Sequence, residues 1–390
     1  MSSYPLIADH GLIGDLQSAA LVTTDGSIDW FCAPRFDSPS VFGALLDAER
    51  GGRCHVRPAA QDVTRKRLYF PDTAVLVTRF MTPAGVGELT DFMPIAGTTA
   101  SPHRRIVRML RCVRGRMDFE VEIAPRFDYG REEHETHITP DGVVFEGPRT
   151  AMTVHLVRED DDERLGRVSG GRSGDVHAEI GLTAGQVRGM VIETGTRGPA
   201  RAVRVGEVWQ LFDETVDFWE SWLRGTGYQG RWREAVYRSA ITLKLLTYAP
   251  SGGLVAAPTA SLPEQIGGER NWDYRFTWVR DASFSVYSLL GLGFTEEAAA
   301  LGRWLRERVE EQTDTTGSGP LNIMYRIDGS TDLHEEVLTH WEGYRGSAPV
   351  HIGNGAAGQL QLDIYGEAMD SFYVASRQGL QVGHAGWLRI

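Results

Sequence analysis

The chain has 390 residues, 42% hydrophobic and 24% charged, enough to bury the cores of two or three domains. Its net charge of −12, from 40 Lys and Arg against 52 Asp and Glu, argues against a general affinity for nucleic acid or an anionic membrane. No stretch approaches the roughly 18 apolar residues that span a bilayer, and the first residues lack a basic segment followed by an apolar run. The expectation is a cytoplasmic chain with neither leader nor membrane partner. Cys32, Cys54 and Cys112 are odd in number and lie at no metal-ligand spacing, so they read as reduced thiols.

Residues 1–205 read as strands. Over 117–123, Phe119, Val121 and Ile123 alternate with Asp118, Glu120 and Glu122, which gives one apolar and one charged face. Met152, Val154 and Leu156 repeat the pattern over 151–157. Pro83-Ala84-Gly85, Arg114-Gly115 and Pro140-Asp141-Gly142 fall between such runs and predict hairpin turns. Many short strands separated by turns predict an antiparallel β-sandwich. The acidic run 159–163 predicts a solvated loop.

Beyond it the period becomes helical. Residues 206–228, rich in Trp and acids, predict a helical linker. From 229 to 390, Trp232, Val236, Ala240, Leu243 and Thr247 share one helix face, and Ala298, Leu301, Leu305 and Val309 share another. Residues 355–378 carry two apolar stripes, Ala357-Leu360-Ile364-Ala368 and Leu362-Tyr365-Met369-Phe372. A polar third stripe holds Gln359, Asp363, Glu367 and Asp370. Two stripes predict a helix buried on two sides, which suits a layered helical barrel.

The densest chemistry lies in RNWDYRFTWVRD (residues 270–281), between a Gly- and Pro-marked loop and an apolar helix. Trp272, Tyr274 and Trp278 offer flat faces for a pyranose ring. Arg280 and Asp281 offer charge-assisted hydrogen bonds to adjacent hydroxyls. The same residue types also fit a salt-bridge cluster at a helix start. Metal chemistry finds no support: His334 and His340 are six apart, not four, and His134 and His137 lack a third ligand.

The segment containing Trp278-Val279-Arg280-Asp281 resembles the sugar-binding motif of glycoside hydrolase family 15, the glucoamylases, glucodextranases and microbial trehalases. WEGYRGSAPVHIGN (341–354) with QLQLDIYGE (359–367) agrees. IADHGLIGD (7–15), DGSIDW (25–30) and PRFDSPS (34–40) resemble the bacterial trehalase-like branch. The resemblance implies a β-sandwich followed by an (α/α)6 barrel. It also implies hydrolysis of an α-glucosidic bond with inversion, on α,α-trehalose or, alternatively, maltooligosaccharides. The partner implied is a small carbohydrate, and no cofactor or metal is called for. Arg280 and Asp281 match the pair that holds hydroxyls of the non-reducing glucose, and Tyr274 matches an aromatic near the attacking water. Trp278, Arg345, Asn354 and Gln359 complete the expected substrate-binding set.

An inverting glycosidase needs an acid and a base roughly 6.5–9.5 Å apart. In the family both lie beyond the Tyr-Gly-Glu block, and this sequence ends at Ile390. The expectation is therefore the first half of a barrel over 229–390, with catalytic residues unassigned. A fragment with at most weak sugar binding, hydrolysing neither trehalose nor maltose, is the alternative. Glu335, Glu336 and Glu342 precede the Gly-Asn block and read as solvated loop acids.

Overall fold

The structure is a computed structural model that describes residues 4–95, 104–159, 168–170, 174–195, 197–316 and 321–377. Most of the expected acidic loop, 160–163, lies outside the described residues. So do residues 381–390. The chain forms two compact units, Met1–Glu220 and Ser221–Ile390.

The first unit is antiparallel β structure. Its leading strands are β1 (His10–Gly14), β2 (Ala19–Thr23), β3 (Ser27–Cys32), β4 (Ser40–Phe42) and β5 (Arg53–Pro58). Then come β6 (Thr64–Tyr69), β7 (Leu76–Met81), β8 (Gly85–Phe92) and the 21-residue β9 (Arg104–Ala124). After a single turn, α1 (Phe127–Gly130), follow β10 (Glu135–Thr139), β11 (Gly142–Glu146) and β12 (Ala151–Arg158). The last are β13 (Val168–Gly170), β14 (Val176–Thr183), β15 (Val187–Thr194) and β16 (Val203–Arg204). The first half of β9 pairs with β8 and β15, and the second half with β5 and β14. Phe31 and Val56 from one set of strands share a core with Phe80, Leu110 and Ile192 from the other. Phe119, Val121 and Ile123 are buried in that core, as their alternation requires.

The expected turns at Pro83 to Gly85 and Pro140 to Gly142 form, between β7 and β8 and between β10 and β11. Arg114-Gly115 does not end a strand. Gly115 takes φ +71° inside β9, and the register against β8 shifts between Val86 and Gly87. A Cβ at Gly115 would lie 2.1 Å from the Ala84 carbonyl oxygen. Glycine lets the strand bend and bulge there without terminating.

The helix expected as a link, α2 (Val205–Leu223), buries Val208 against Val75, Phe92 and Val107. Phe212 meets Phe70 and Phe92 edge-on at 5.3 and 5.9 Å.

The second unit is helical, with α3 (Arg233–Leu245), α4 (Val279–Leu292), α5 (Thr295–Thr316) and α6 (Asp363–Arg377). The expected order, β first and helices after, is thus what the chain forms. Counting α2, which begins at Val205, the described residues from there on hold five α-helices. Gly293, at φ +95°, ends α4 in the left-handed conformation that lets α5 turn back on it. Ala282 and Val286 of α4 meet Leu301 and Leu305 of α5 and Phe372 of α6 around one small gap.

Residues 355–378 are not one helix. Asn354 caps a short 3₁₀ turn, Gly355–Gly358, and α6 starts at Asp363. Glycines at both ends of the turn oppose continuation into an α-helix. The two expected stripes also fare differently. In the first, Ile364 and Ala368 are buried while Leu360 is 61% exposed; in the second, only Phe372 is buried, and Leu362, Tyr365 and Met369 are 75%, 41% and 40% exposed.

Candidate active site

The cluster at residues 270–281 is built on extended backbone at Asn271–Trp272 and Thr277–Trp278 and enters α4 at Val279. Asn271–Trp272 (β18) pairs with Leu262–Pro263 (β17), and Thr277–Trp278 (β19) pairs with Met324–Tyr325 (β20). Extended chain sends alternate side chains to opposite sides. Asn271, Asp273, Arg275 and Thr277 go inward and are buried. Trp272, Tyr274 and Trp278 line a cavity of about 560 Å³.

The inward residues fix that wall. Asp273 and Arg275 form a fully buried two-pronged ion pair at 2.9 and 2.6 Å. Asp273 Oδ2 also accepts the Gly353 N–H at 3.1 Å, and its carbonyl accepts from Asn354 Nδ2 at 3.1 Å. Asn271 Nδ2 donates to the carbonyls of Ser347 and Pro349, both at 3.1 Å. His351 packs its ring 5.2 Å from Trp272 and hydrogen-bonds the Asn271 carbonyl at 3.0 Å. His351–Ile352 (β22) in turn pairs with Glu336–Val337 (β21). Segments some 80 residues apart are thereby stitched into one frame.

The cavity is also lined by Glu335, Asn354, Gly355, Ala356 and Gln359, and Glu264 and Arg270 complete the lining. Of the residues expected from sequence, Tyr274, Trp278, Asn354 and Gln359 come together here. Arg280 and Asp281 lie on the first turn of α4 and are not among the lining residues. They stand 3.6 Å apart, about two-fifths exposed, and Arg280 lies 5.6 Å from the Trp278 ring and 3.6 Å from Asp363. Asp281 Oδ2 is buried with no hydrogen-bond partner among the described residues. Arg345, in a left-handed conformation at φ +53°, stacks on Tyr344 outside the lining. Burial raises the Tyr274 phenol above its ordinary value, helped by Glu264 and Asp281 and opposed by Arg280. It therefore stays a hydroxyl, able to donate and accept, through the neutral range.

Sequence reasoning missed Glu264 and Arg270 and dismissed Glu335. Nothing in local spacing signals Glu335, because β21 and β22 bring it to the cavity from a separate loop. A larger concavity of about 1130 Å³ lies on the first unit. Its lining includes the sheet-face ion pairs Arg53 with Glu122 and Arg57 with Glu120, and its rings are Tyr4, His55 and His177, with no tryptophan. That lining lacks the stacking surface found in the second unit.

Comparison with known proteins gives independent findings. Residues 230–388 match the family described as glycosyl hydrolases family 15, and residues 2–157 match the family described as trehalase-like, N-terminal. The chain is 33% identical over 384 residues to a protein named trehalase from Thermoplasma volcanium, covering 97% of this chain and 58% of that protein. It is 34% identical over 426 residues to one from Mycolicibacterium smegmatis, covering 98% and 59%. The chain thus spans under two thirds of the length of these relatives. A solved bacterial glucoamylase complexed with acarbose superposes with a TM-score of 0.64 at 12% identity, covering 96% of this chain and 56% of that one. Among the described residues no helix is long and apolar enough to cross a membrane.

Proposed function

We propose, from the match of residues 230–388 to glycosyl hydrolases family 15 and of residues 2–157 to the trehalase-like N-terminal family, that the chain belongs to that hydrolase family and that its second unit binds the glucose of an α-glucoside in a protein that hydrolyses the α-glucosidic bond with inversion. The substrate is α,α-trehalose, and the likeness to trehalases along nearly the whole chain supports that choice over maltooligosaccharides. The observation that carries the reading is one cavity with an aromatic wall and fixed polar groups facing it. A neutral polyol needs both, stacking area for its C–H faces and a few placed donors and acceptors for its hydroxyls.

In this reading Trp272, Tyr274 and Trp278 stack on the sugar, and Gln359 and Arg270 bond its hydroxyls. Arg280 and Asp281 meet hydroxyls beyond Trp278, supported by Asp281 Oδ2, which lies 3.6 Å from Arg280 and accepts no hydrogen bond among the described residues. Asn354 shapes the wall and Arg345 borders it. The helices α3 to α6 belong to an (α/α)6 barrel, and residues 1–205 to a β-sandwich. The glucoamylase likeness supports this architecture. Three buried free thiols support a reducing, cytoplasmic location.

The test is a titration of the 390-residue chain with trehalose and with maltose, followed by tryptophan fluorescence. Saturable quenching by trehalose at lower concentration than by maltose is expected, reduced in Trp278→Phe. Preference for maltose moves the substrate to maltooligosaccharides. Absence of a saturable response to either sugar overturns the reading.

A further inference from the structure

The lining groups of the cavity are not equally free to meet a ligand. Both polar ends of the Asn354 side chain are engaged by the fold: Oδ1 accepts the Ala356 N–H at 3.0 Å and Nδ2 donates to the Asp273 carbonyl. Glu264 lies 3.6 Å from Arg270 in an ion pair, and Gln359 Oε1 accepts from Gln361 at 3.1 Å. Glu335 differs. Its Oε2 accepts the Gly355 N–H at 2.8 Å, and Oε1 has no hydrogen-bond partner among the described residues. The residue is half-buried and lines the cavity. Its backbone is held too: the neighbouring Leu333 carbonyl accepts the Asn354 N–H at 2.9 Å, and Gly353 approaches so closely that a Cβ there would sit 1.9 Å from the His334 carbonyl oxygen.

A carboxylate with one oxygen tethered and the other open is a fixed acceptor. The same cavity is lined by the flat rings of Trp272, Tyr274 and Trp278 and by the cationic Arg270, so a cation is not what the site as a whole fits. A hydroxyl on a sugar lying against those rings fits it. We propose that Glu335 is a specificity-determining residue, accepting a hydrogen bond through Oε1 from one hydroxyl of the bound glucoside. The inference rests on the functional reading above. It requires no bond to break and assigns Glu335 no part in proton transfer. The negative charge strengthens the bond, because hydrogen bonds to ionised groups are roughly twice as strong as neutral ones.

Glu335→Gln is close to isosteric. Its amide oxygen still accepts the Gly355 N–H, while the open acceptor becomes a donor, so the variant should melt with the parent. Using the full 390-residue chain, trehalose affinity is measured for both proteins, together with a panel of monodeoxy trehaloses. E335Q should bind trehalose about tenfold more weakly, in keeping with the loss of one charge-assisted hydrogen bond. One deoxy sugar should lose a similar factor against the parent and nothing further against E335Q, since the two changes remove the same bond. Equal trehalose affinity in the two proteins overturns the inference alone. So does a panel in which every deoxy effect persists in E335Q. No saccharide binding by the parent overturns the functional reading and this inference with it.

Discussion

Asp15 shows how one buried carboxyl shapes the behaviour of the first unit. It sits in the turn between β1 and β2, where Oδ1 accepts the N–H groups of Gln17 at 3.0 Å and Ser18 at 2.9 Å. Oδ2 is buried with no hydrogen-bond partner among the described residues. Burial pushes the carboxyl up to about 6, only partly offset by those bonds and by Arg104. An unfolded Asp titrates near pH 3.9, as is typical. Below about pH 4 both states are protonated. Between about 4 and 6 the folded state keeps a proton that the unfolded state releases, so stability falls as pH rises. Above 6 the whole cost is in place, on the order of 3 kcal/mol. Asp15→Asn keeps the Oδ1 acceptor and removes the charge. It should therefore be more stable than the parent at pH 7.5, with the gap closing toward pH 4. Urea unfolding at several pH values measures this, and a gap that widens at low pH contradicts it.

At the scale of the element, segment 271–278 depends on a carboxylate pointing away from the cavity. Asp273→Asn removes the carboxylate of the buried two-pronged pair with Arg275, and breaking such a pair typically costs about 3–5 kcal/mol. Replacing both partners, as Asp273→Asn with Arg275→Met, should cost less than the sum of the single changes. A double-mutant cycle on thermal melting checks it. A D273N chain that melts with the parent sinks the idea that this pair holds the wall. Sequence alone made Tyr274 and Trp278 visible, because aromatic residues crowd a segment that leads into a helix. The same alternation hid the importance of Asp273 and Arg275, which read as ligand groups or surface charge until their burial is known. Period-2 patterns located β9 and β12, and Pro-Asp-Gly located the β10–β11 turn. Gly115 misled because glycine serves a bend within a strand as well as a turn between strands. The 355–362 stretch misled because apolar spacing continued through residues whose glycines favour a 3₁₀ turn.

For the whole molecule, the open matter is where one folding unit stops and the next starts. Periodicity changes near residue 205, yet the compact first unit runs to Glu220. The difference is α2. Val208 is fully buried in the core formed by Val75, Phe92, Val107 and Val157, and Phe212 completes an aromatic cluster on it. Thr215 Oγ1 accepts the Ile95 N–H at 3.2 Å. We infer that α2 belongs to the β unit energetically, although its sequence pattern is that of the helical half. A chain ending at 223 should fold alone and give a strand-dominated circular dichroism spectrum. A chain ending at 205 exposes the sheet face that α2 covers. Fully burying one Val or Phe side chain is worth roughly 1.5–3 kcal/mol. Losing Val208 outright and part of Phe212 removes about 3 kcal/mol on that scale. For a unit of this size that lowers the melting temperature by roughly 10 °C. Exposing the same apolar face also promotes association, visible as a concentration-dependent elution volume. If the 205-residue chain melts cooperatively at the same temperature as the 223-residue chain and stays monomeric, α2 contributes nothing to that core. The boundary then belongs where the periodicity changes.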